Sequence, residues 1–288
     1  MKYHVNQQKT TSRKTVMALG LPIQGSKSRH AKEIIDNLPN GNRFVDLFGG
    51  GGAMSHAAIL SKKFNHVFYN EIDKNLCTFL TDAIAGKYSP DKFKPIFITR
   101  EEFHKKKHEN AYSRYIWSFG NDGDSYLYGR KTEDEKRIIH NAIVFNEITP
   151  EFKVLYPTFQ GFKSDNINER RLELKTRVQN IERLLRINNT AGMQDITIHN
   201  GNYRDYEYQN GDVVYCDPPY KDTQNVYGKF NHSEFLDWIK SRDYTVYFSD
   251  YDGLQDKFEC VWKKETNSTM CFNSNSIKRT ECVYINHR

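Results

Sequence analysis

Phe44–Val45–Asp46–Leu47–Phe48 runs straight into Gly49–Gly50–Gly51–Gly52, and a helical pattern, Ala53–Lys62, follows. A short apolar run bounded by glycines reads as a buried strand. Glycines between a strand and a helix let a ligand approach the backbone closely, near the N–H groups of the helix N-terminus. No GxxxxGK[ST] pattern accompanies them, which argues against a phosphate loop of the nucleotide-hydrolase type. Glu71 closes the next strand about 20 residues on, where α/β nucleoside-binding domains place a carboxylate for ribose hydroxyls. Asp73 stands close enough to share that role. The pattern predicts an adenosine-containing cofactor in a Rossmann-like site, and leaves open whether it is NAD or S-adenosylmethionine.

Outward from this core, β-branched and aromatic runs predict strands at Val67–Ile72, Ile196–His199, Val213–Cys216, Thr245–Phe248, Glu259–Trp262 and Cys282–Ile285. Helical patterns occupy Ala31–Leu38 and Leu76–Ala85 as well as Ala53–Lys62. Strands alternating with helices imply a mainly parallel sheet. The last two strands lack an intervening helix and could close the sheet as an antiparallel hairpin. The alternation breaks between about Gly86 and Thr190. Residues 87–190 hold 20 Lys+Arg against 15 Asp+Glu, and 15 of the chain's aromatic side chains. Leu174, Val178, Ile181 and Leu185 repeat there at helical spacing. The segment reads as an inserted, basic, largely helical subdomain.

At 288 residues the chain can bury a full core, and 38% hydrophobic with 27% charged residues is the composition of an ordinary globular protein. A net charge of +6 fits a polyanionic partner. Cys77, Cys216, Cys260, Cys271 and Cys282 form no CxxC pair, so neither a disulfide framework nor a structural zinc site is expected. No metal is expected from the histidine spacing either. No apolar run approaches membrane-spanning length, and Met1–Ser12 is polar, so a cytoplasmic setting is expected.

Asp217–Pro218–Pro219–Tyr220, directly after Val213–Cys216, carries the chemistry. An exocyclic aromatic amine is a poor nucleophile because its lone pair is delocalised into the ring. A carboxylate and a backbone carbonyl accepting its two hydrogens draw the nitrogen toward tetrahedral geometry. Asp217 supplies the first acceptor, and Pro218, which keeps its C=O, the second. The prolines stiffen the turn. Tyr220 offers a face on which a base can stack, worth roughly 1–3 kcal/mol.

With these motifs in place, the chain resembles the Dam-like family of DNA adenine-N6 methyltransferases. Ile23–Gln24–Gly25–Ser26–Lys27 is similar to that family's N-terminal cofactor motif, Phe48–Gly49–Gly50–Gly51–Gly52 to its F-x-G-x-G loop, and Asp217–Tyr220 to its D-P-P-Y motif. Tyr203–Arg204–Asp205 is a weaker match that would bring Asp205 near the cofactor adenine. Two departures stand out: Ile23 replaces the usual aromatic, and Glu71 the usual Asp.

The resemblance implies an α/β fold, a Rossmann-like methyltransferase sheet of seven mostly parallel strands with an inserted, largely helical target-recognition subdomain. Residues 1–86 and 191–288 would form the catalytic domain and 87–190 the insertion. It implies S-adenosylmethionine as donor, held by Ile23, Lys27, Asp46, Phe48, Gly50, Gly52, Glu71, Ile72, Asp205 and Asp217. Asp217, Pro218, Pro219 and Tyr220 would be catalytic, acting on an adenine flipped out of double-stranded DNA. A cognate restriction endonuclease, a monomeric state and a bacterial or phage origin are further expectations.

Within the insertion, Trp117–Gly123 followed by Tyr126–Arg130 suggests a loop or hairpin. Tyr126, Tyr128, Arg130 and Lys131 are the candidates for DNA contact, whereas Lys105–Lys107 reads as a solvated run. Rival readings are an RNA or other amino-group methyltransferase, an inactive nucleic-acid-binding module, and a Rossmann oxidoreductase. The first predicts a short span between the two motifs, but 164 residues lie between Gly52 and Asp217. The others leave an intact Asp-Pro-Pro-Tyr unexplained.

Overall fold

A computed structural model of the chain describes residues 17–220, 230–268 and 277–286. The polar stretch Met1–Ser12 and Cys271 lie outside the described residues. Seven strands form one sheet: β1 (Arg43–Asp46), β2 (His66–Glu71), β3 (Ile196–Asn200), β4 (Asp212–Cys216), β5 (Val246–Tyr251), β6 (Glu259–Ser268) and β7 (Ile277–Ile285). Their order is β3-β2-β1-β4-β5-β7-β6. The first five pair in parallel, and β7 runs antiparallel between β5 and β6. The strand order reverses between β1 and β4, so a crevice opens at their carboxyl ends, where open α/β sheets bind ligands.

The period-2 alternation of the strands sorts side chains onto two faces. Phe44, Val213 and Tyr215 pack against α1 (Ala31–Asn37) and α2 (Ala53–Ser61), whereas Val45, Val214 and Cys216 pack on the other side. That side is covered by Phe235, Trp238 and Ile239 of α10 (His232–Lys240). Between β2 and β3 stand α3 (Lys74–Ile84) and the insertion. The insertion holds α4 (Arg100–Lys106), α5 (Ala111–Ile116), α6 (Glu133–Phe145), α7 (Pro150–Leu155), α8 (Ile167–Glu173) and α9 (Gln179–Ile187).

It is largely helical, and only part of its core is its own. Phe97, Phe103, Tyr115 and Trp117 share one cluster with Tyr69, Leu76, Phe79 and Leu80 of β2 and α3. A second cluster, with Ile139, Ile143, Phe152, Ile167 and Ile181, belongs to the insertion alone. A buried polar chain ties the two together. Tyr128 donates to Asn180 (2.7 Å), Asn180 pairs with His140 Nδ1 (2.8 Å), and His140 Nε2 meets the Pro95 carbonyl (2.9 Å).

The helical repeat over Leu174–Leu185 is broken rather than continuous. Leu174 ends α8, Lys175 turns at φ 51°, and α9 starts only after Val178. Leu174, Val178 and Ile181 nevertheless enter one cluster, because tertiary packing brings the two helices onto the same core. The final hairpin is longer than its apolar stretches, since polar residues continue the pairing out to Ser268 and Ile277.

Candidate active site

The glycine loop follows β1 at the crevice, and neighbouring side chains hold its shape. Tyr69 donates from its hydroxyl to the Gly50 carbonyl (2.8 Å), and Glu71 Oε2 accepts the Gly50 N–H (2.9 Å). A side chain at Gly49 would collide with the Tyr69 ring, its Cβ only 2.1 Å away. Gly52 takes φ 70°, a left-handed conformation that suits glycine, and starts α2. The N-terminal segment lies across the loop. Leu21 N–H donates to the Gly51 carbonyl (2.7 Å), and Ile23 packs within 3.6 Å of where a Gly50 Cβ would stand.

Two buried carboxylates, Asp46 and Glu71, flank the glycine loop. Burial pushes the Asp46 carboxyl up to about 7, with Asp217 and Glu71 adding repulsion and the Ser55 hydroxyl, 2.7 Å away, opposing. Burial likewise raises Glu71, against hydrogen bonds from the Asp73 and Gly50 N–H groups. Each Glu71 oxygen thus accepts a backbone N–H, Oε2 from Gly50 and Oε1 from Asp73. Asp73, the other candidate for the ribose, is engaged elsewhere: it caps α3 and pairs with Arg114 of the insertion (3.3 Å).

Asp217–Tyr220 leaves β4 on the other side of the strand reversal. Lys27, in a 3-10 turn capped by Ser26, reaches into it. Its Nζ lies 3.0 Å from Asp217 Oδ1, donates to the Tyr220 hydroxyl at 2.5 Å, and stands 3.6 Å from Glu281 Oε2. Burial works against the Lys27 charge, but Asp217 and Glu281 outweigh it and hold the ammonium above its ordinary range. Burial raises Asp217 in turn, with Lys27 as the main opposing influence. Pro218 is buried and Pro219 half-buried. The Tyr220 ring meets Tyr251 edge-on, with 4.6 Å between centroids.

The crevice therefore gathers Ile23, Lys27, Asp46, Gly50, Gly52, Glu71 and Asp217–Tyr220 from distant parts of the sequence. Ile72, beside Glu71, is an exposed apolar side chain. Phe48 turns its ring toward Tyr203, Phe230 and Phe235, so it anchors the loop from the α10 side. Asp205 is exposed and lines a hollow of about 260 Å³ with Arg43, Phe68, Asn70, His199 and Tyr206.

The insertion corrects two expectations. Tyr126 and Tyr128 are packed in the shared core, not presented to a partner. Tyr126 donates to the Ile98 carbonyl (2.7 Å) and Tyr128 to Asn180, so burial satisfies both hydroxyls. The expected hairpin exists in reduced form, as a bridge between Ser118 and Tyr126. Arg130 and Lys131 are exposed, and Arg130 borders a cleft of about 770 Å³ with Arg100, His104 and Lys105. Lys105 and Lys106 pair with Glu101 and Glu102 as a solvated run would, whereas Lys107 is largely covered, lies over the Phe103 ring and pairs with Asp124.

Glu281, Tyr69 and Gly20 border the crevice or brace its loop, and motif reading does not reach them. A Cβ at Gly20 would meet the Gly51 carbonyl at 2.4 Å. Glu281 left one trace in the sequence, an acidic residue just before an apolar strand pattern. Among the described residues no cluster suited to a metal ion and no helix long and apolar enough to cross a membrane occurs.

A glycine loop and an Asp-Pro-Pro-Tyr turn flanking the strand reversal define an α/β methyltransferase. The family profile of D12 class N6 adenine-specific DNA methyltransferases matches residues 24–284, and the chain belongs to that family. No curated protein sequence matches. Similar solved structures include an rRNA methyltransferase from Streptomyces viridochromogenes, with 12% identity, 89% of this chain and 84% of that one covered, and a TM-score of 0.39. A protein from Pyrococcus horikoshii described as a candidate RNA methyltransferase shares 11% identity, with 91% and 85% covered and a TM-score of 0.37. A candidate methylase from Haemophilus influenzae shares 12%, with 93% and 92% covered and a TM-score of 0.34.

Proposed function

We propose that the chain transfers a methyl group from S-adenosylmethionine to the N6 amine of adenine within a specific sequence of double-stranded DNA, with the target base flipped out of the helix. The observation that carries this reading is the position of Asp217–Tyr220, across the strand reversal from a loop that Glu71 and Tyr69 hold open. The donor set fits the cofactor. Glu71 offers a carboxylate to ribose hydroxyls, exposed Ile72 can cover an adenine face, and Asp46 is a buried carboxylate suited to a cationic ligand. Gly50, Gly52 and Ile23 supply the loop side of the same site, Phe48 anchors that loop from the α10 side, and Lys27 stands on the Asp217 side.

When bound, S-adenosylmethionine supplies an electrophilic methyl group, which needs no metal and no covalent enzyme intermediate. Catalysis by the chain is then positioning. Asp217 accepts one amine hydrogen and the Pro218 carbonyl the other, freeing the N6 lone pair. Tyr220 supplies a surface for the base. Residues 87–190 act as the target-recognition region, with exposed Arg130 and Lys131 holding phosphates, which makes affinity salt-dependent.

Incubating pools of duplex DNA, single-stranded DNA and RNA with methyl-labelled donor tests the reading. Labelled N6-methyldeoxyadenosine confined to one sequence context of the duplex is expected. Label on RNA, or spread over unrelated contexts, would overturn the substrate assignment and leave the methyltransferase fold intact.

A further inference from the structure

Lys27 occupies an acceptor that the reaction needs. Its Nζ sits 3.0 Å from Asp217 Oδ1, the carboxylate that receives the target amine in the proposed function, on which this inference rests. For the amine to take Oδ1, the oxygen that Lys27 holds, the ammonium must give ground. A buried ammonium cannot be left without a counter-charge. The structure provides one. Glu281 Oε2, 3.6 Å from Lys27 Nζ, is a buried oxygen with no hydrogen-bond partner among the described residues.

Other cations around Glu281 are committed elsewhere or uncharged. Lys264, opposite Glu281 on β6, pairs with Glu33. Arg279, two residues earlier on β7, lies over the Tyr251 ring at 4.7 Å. His30 is pushed below its ordinary range, by burial first, so it faces Glu281 as a neutral ring. Lys27 is the cation left for that oxygen.

We infer that Glu281 is a second seat for the Lys27 ammonium, a positioning residue that receives Lys27 as the target amine takes Asp217. In the free enzyme Lys27 bridges the two carboxylates, nearer to Asp217. On base entry it shifts toward Glu281 and keeps its contact with the Tyr220 hydroxyl. The cluster of Asp217, Glu281 and Lys27 carries one net negative charge, which suits an amine nitrogen that gains positive charge as it is methylated.

The test is single-turnover methylation by Glu281→Gln, Glu281→Asp, Lys27→Met and the Lys27→Met/Glu281→Gln pair. Melting temperature and the affinity for S-adenosylhomocysteine are measured beside it. Glu281→Gln is expected to slow the chemical step about 10- to 100-fold, with cofactor-product affinity and melting temperature near wild type. Glu281→Asp, which keeps the charge, should recover part of the rate. In the Lys27→Met background, Glu281→Gln should cost little more, because the residue acts through Lys27. A wild-type rate in Glu281→Gln, or fully additive losses in the pair, would overturn the second seat. So would a loss that tracks melting temperature. Rates are taken as ratios on whichever amine acceptor the wild type methylates. Failure of the DNA reading then appears in the wild type, and failure of the second seat only in the ratios.

Discussion

Lys27 meets the Tyr220 hydroxyl at 2.5 Å and its ring at 4.5 Å, so Tyr220 has two separable roles. Tyr220→Phe keeps the face and loses the hydroxyl's contacts with Lys27 and Asp217, and is expected to retain much of the turnover. Tyr220→Ala loses both, and should fall roughly a further tenfold, in line with the 1–3 kcal/mol of a base-stacking contact. Equal damage from the two changes would mean that the hydroxyl alone matters. His140 makes the other residue-scale prediction. Burial pushes its imidazole down to about 4 from an ordinary 6.5. Above pH 6.5 both folded and unfolded chains hold it neutral. Below that the unfolded chain takes the proton first, so stability falls between about pH 6.5 and pH 4, by roughly 1.4 kcal/mol per pH unit. Urea midpoints should show His140→Gln less stable than wild type at pH 7 but with a shallower acid limb. Parallel limbs would contradict this.

The glycine loop makes its prediction as an element. Gly49→Ala drives a Cβ to 2.1 Å from the buried Tyr69 ring, whereas a Cβ at Gly50 meets nothing closer than 3.6 Å. Gly49→Ala should therefore cost about 1–3 kcal/mol of stability and most of the cofactor affinity. Gly50→Ala, strained only by its φ of 50°, should cost about 1 kcal/mol. Calorimetric titration with S-adenosylhomocysteine and chemical denaturation separate the two; equal effects would count against the loop geometry. This loop and the Asp-Pro-Pro-Tyr turn were legible because each is a local signal: a strand, a short run of special residues, and a fixed position at the strand end. Tyr126 and Tyr128 were misread because an aromatic ring beside Arg and Gly suits a surface and a core equally, and only packing against Phe97 and Phe103 decides it. The Glu281–Lys27 contact was not legible in the sequence, because the two residues come from opposite ends of the chain.

At the scale of the whole molecule, the insertion is welded to the catalytic sheet. Trp117 is fully buried in a cluster that also holds Tyr69, Leu76 and Leu80. Arg114 reaches Asp73, and the Gln24 N–H donates to the Asn121 carbonyl (3.0 Å), so the insertion touches the segment that lies across the glycine loop directly. Composition revealed the basic insertion but not this shared core, which depends on contacts between residues far apart in sequence. Trp117→Ala should cost about 3–5 kcal/mol and weaken cofactor binding together with stability. Two separate unfolding transitions in the wild type would contradict a shared core. The most direct measurement of the central claim is transfer of labelled methyl to duplex DNA by wild type and Asp217→Ala, with S-adenosylhomocysteine binding followed in parallel. Wild type should yield N6-methyldeoxyadenosine, and Asp217→Ala should lose at least about 100-fold in rate while binding the cofactor product nearly as well. Wild-type-like turnover by Asp217→Ala would contradict the account.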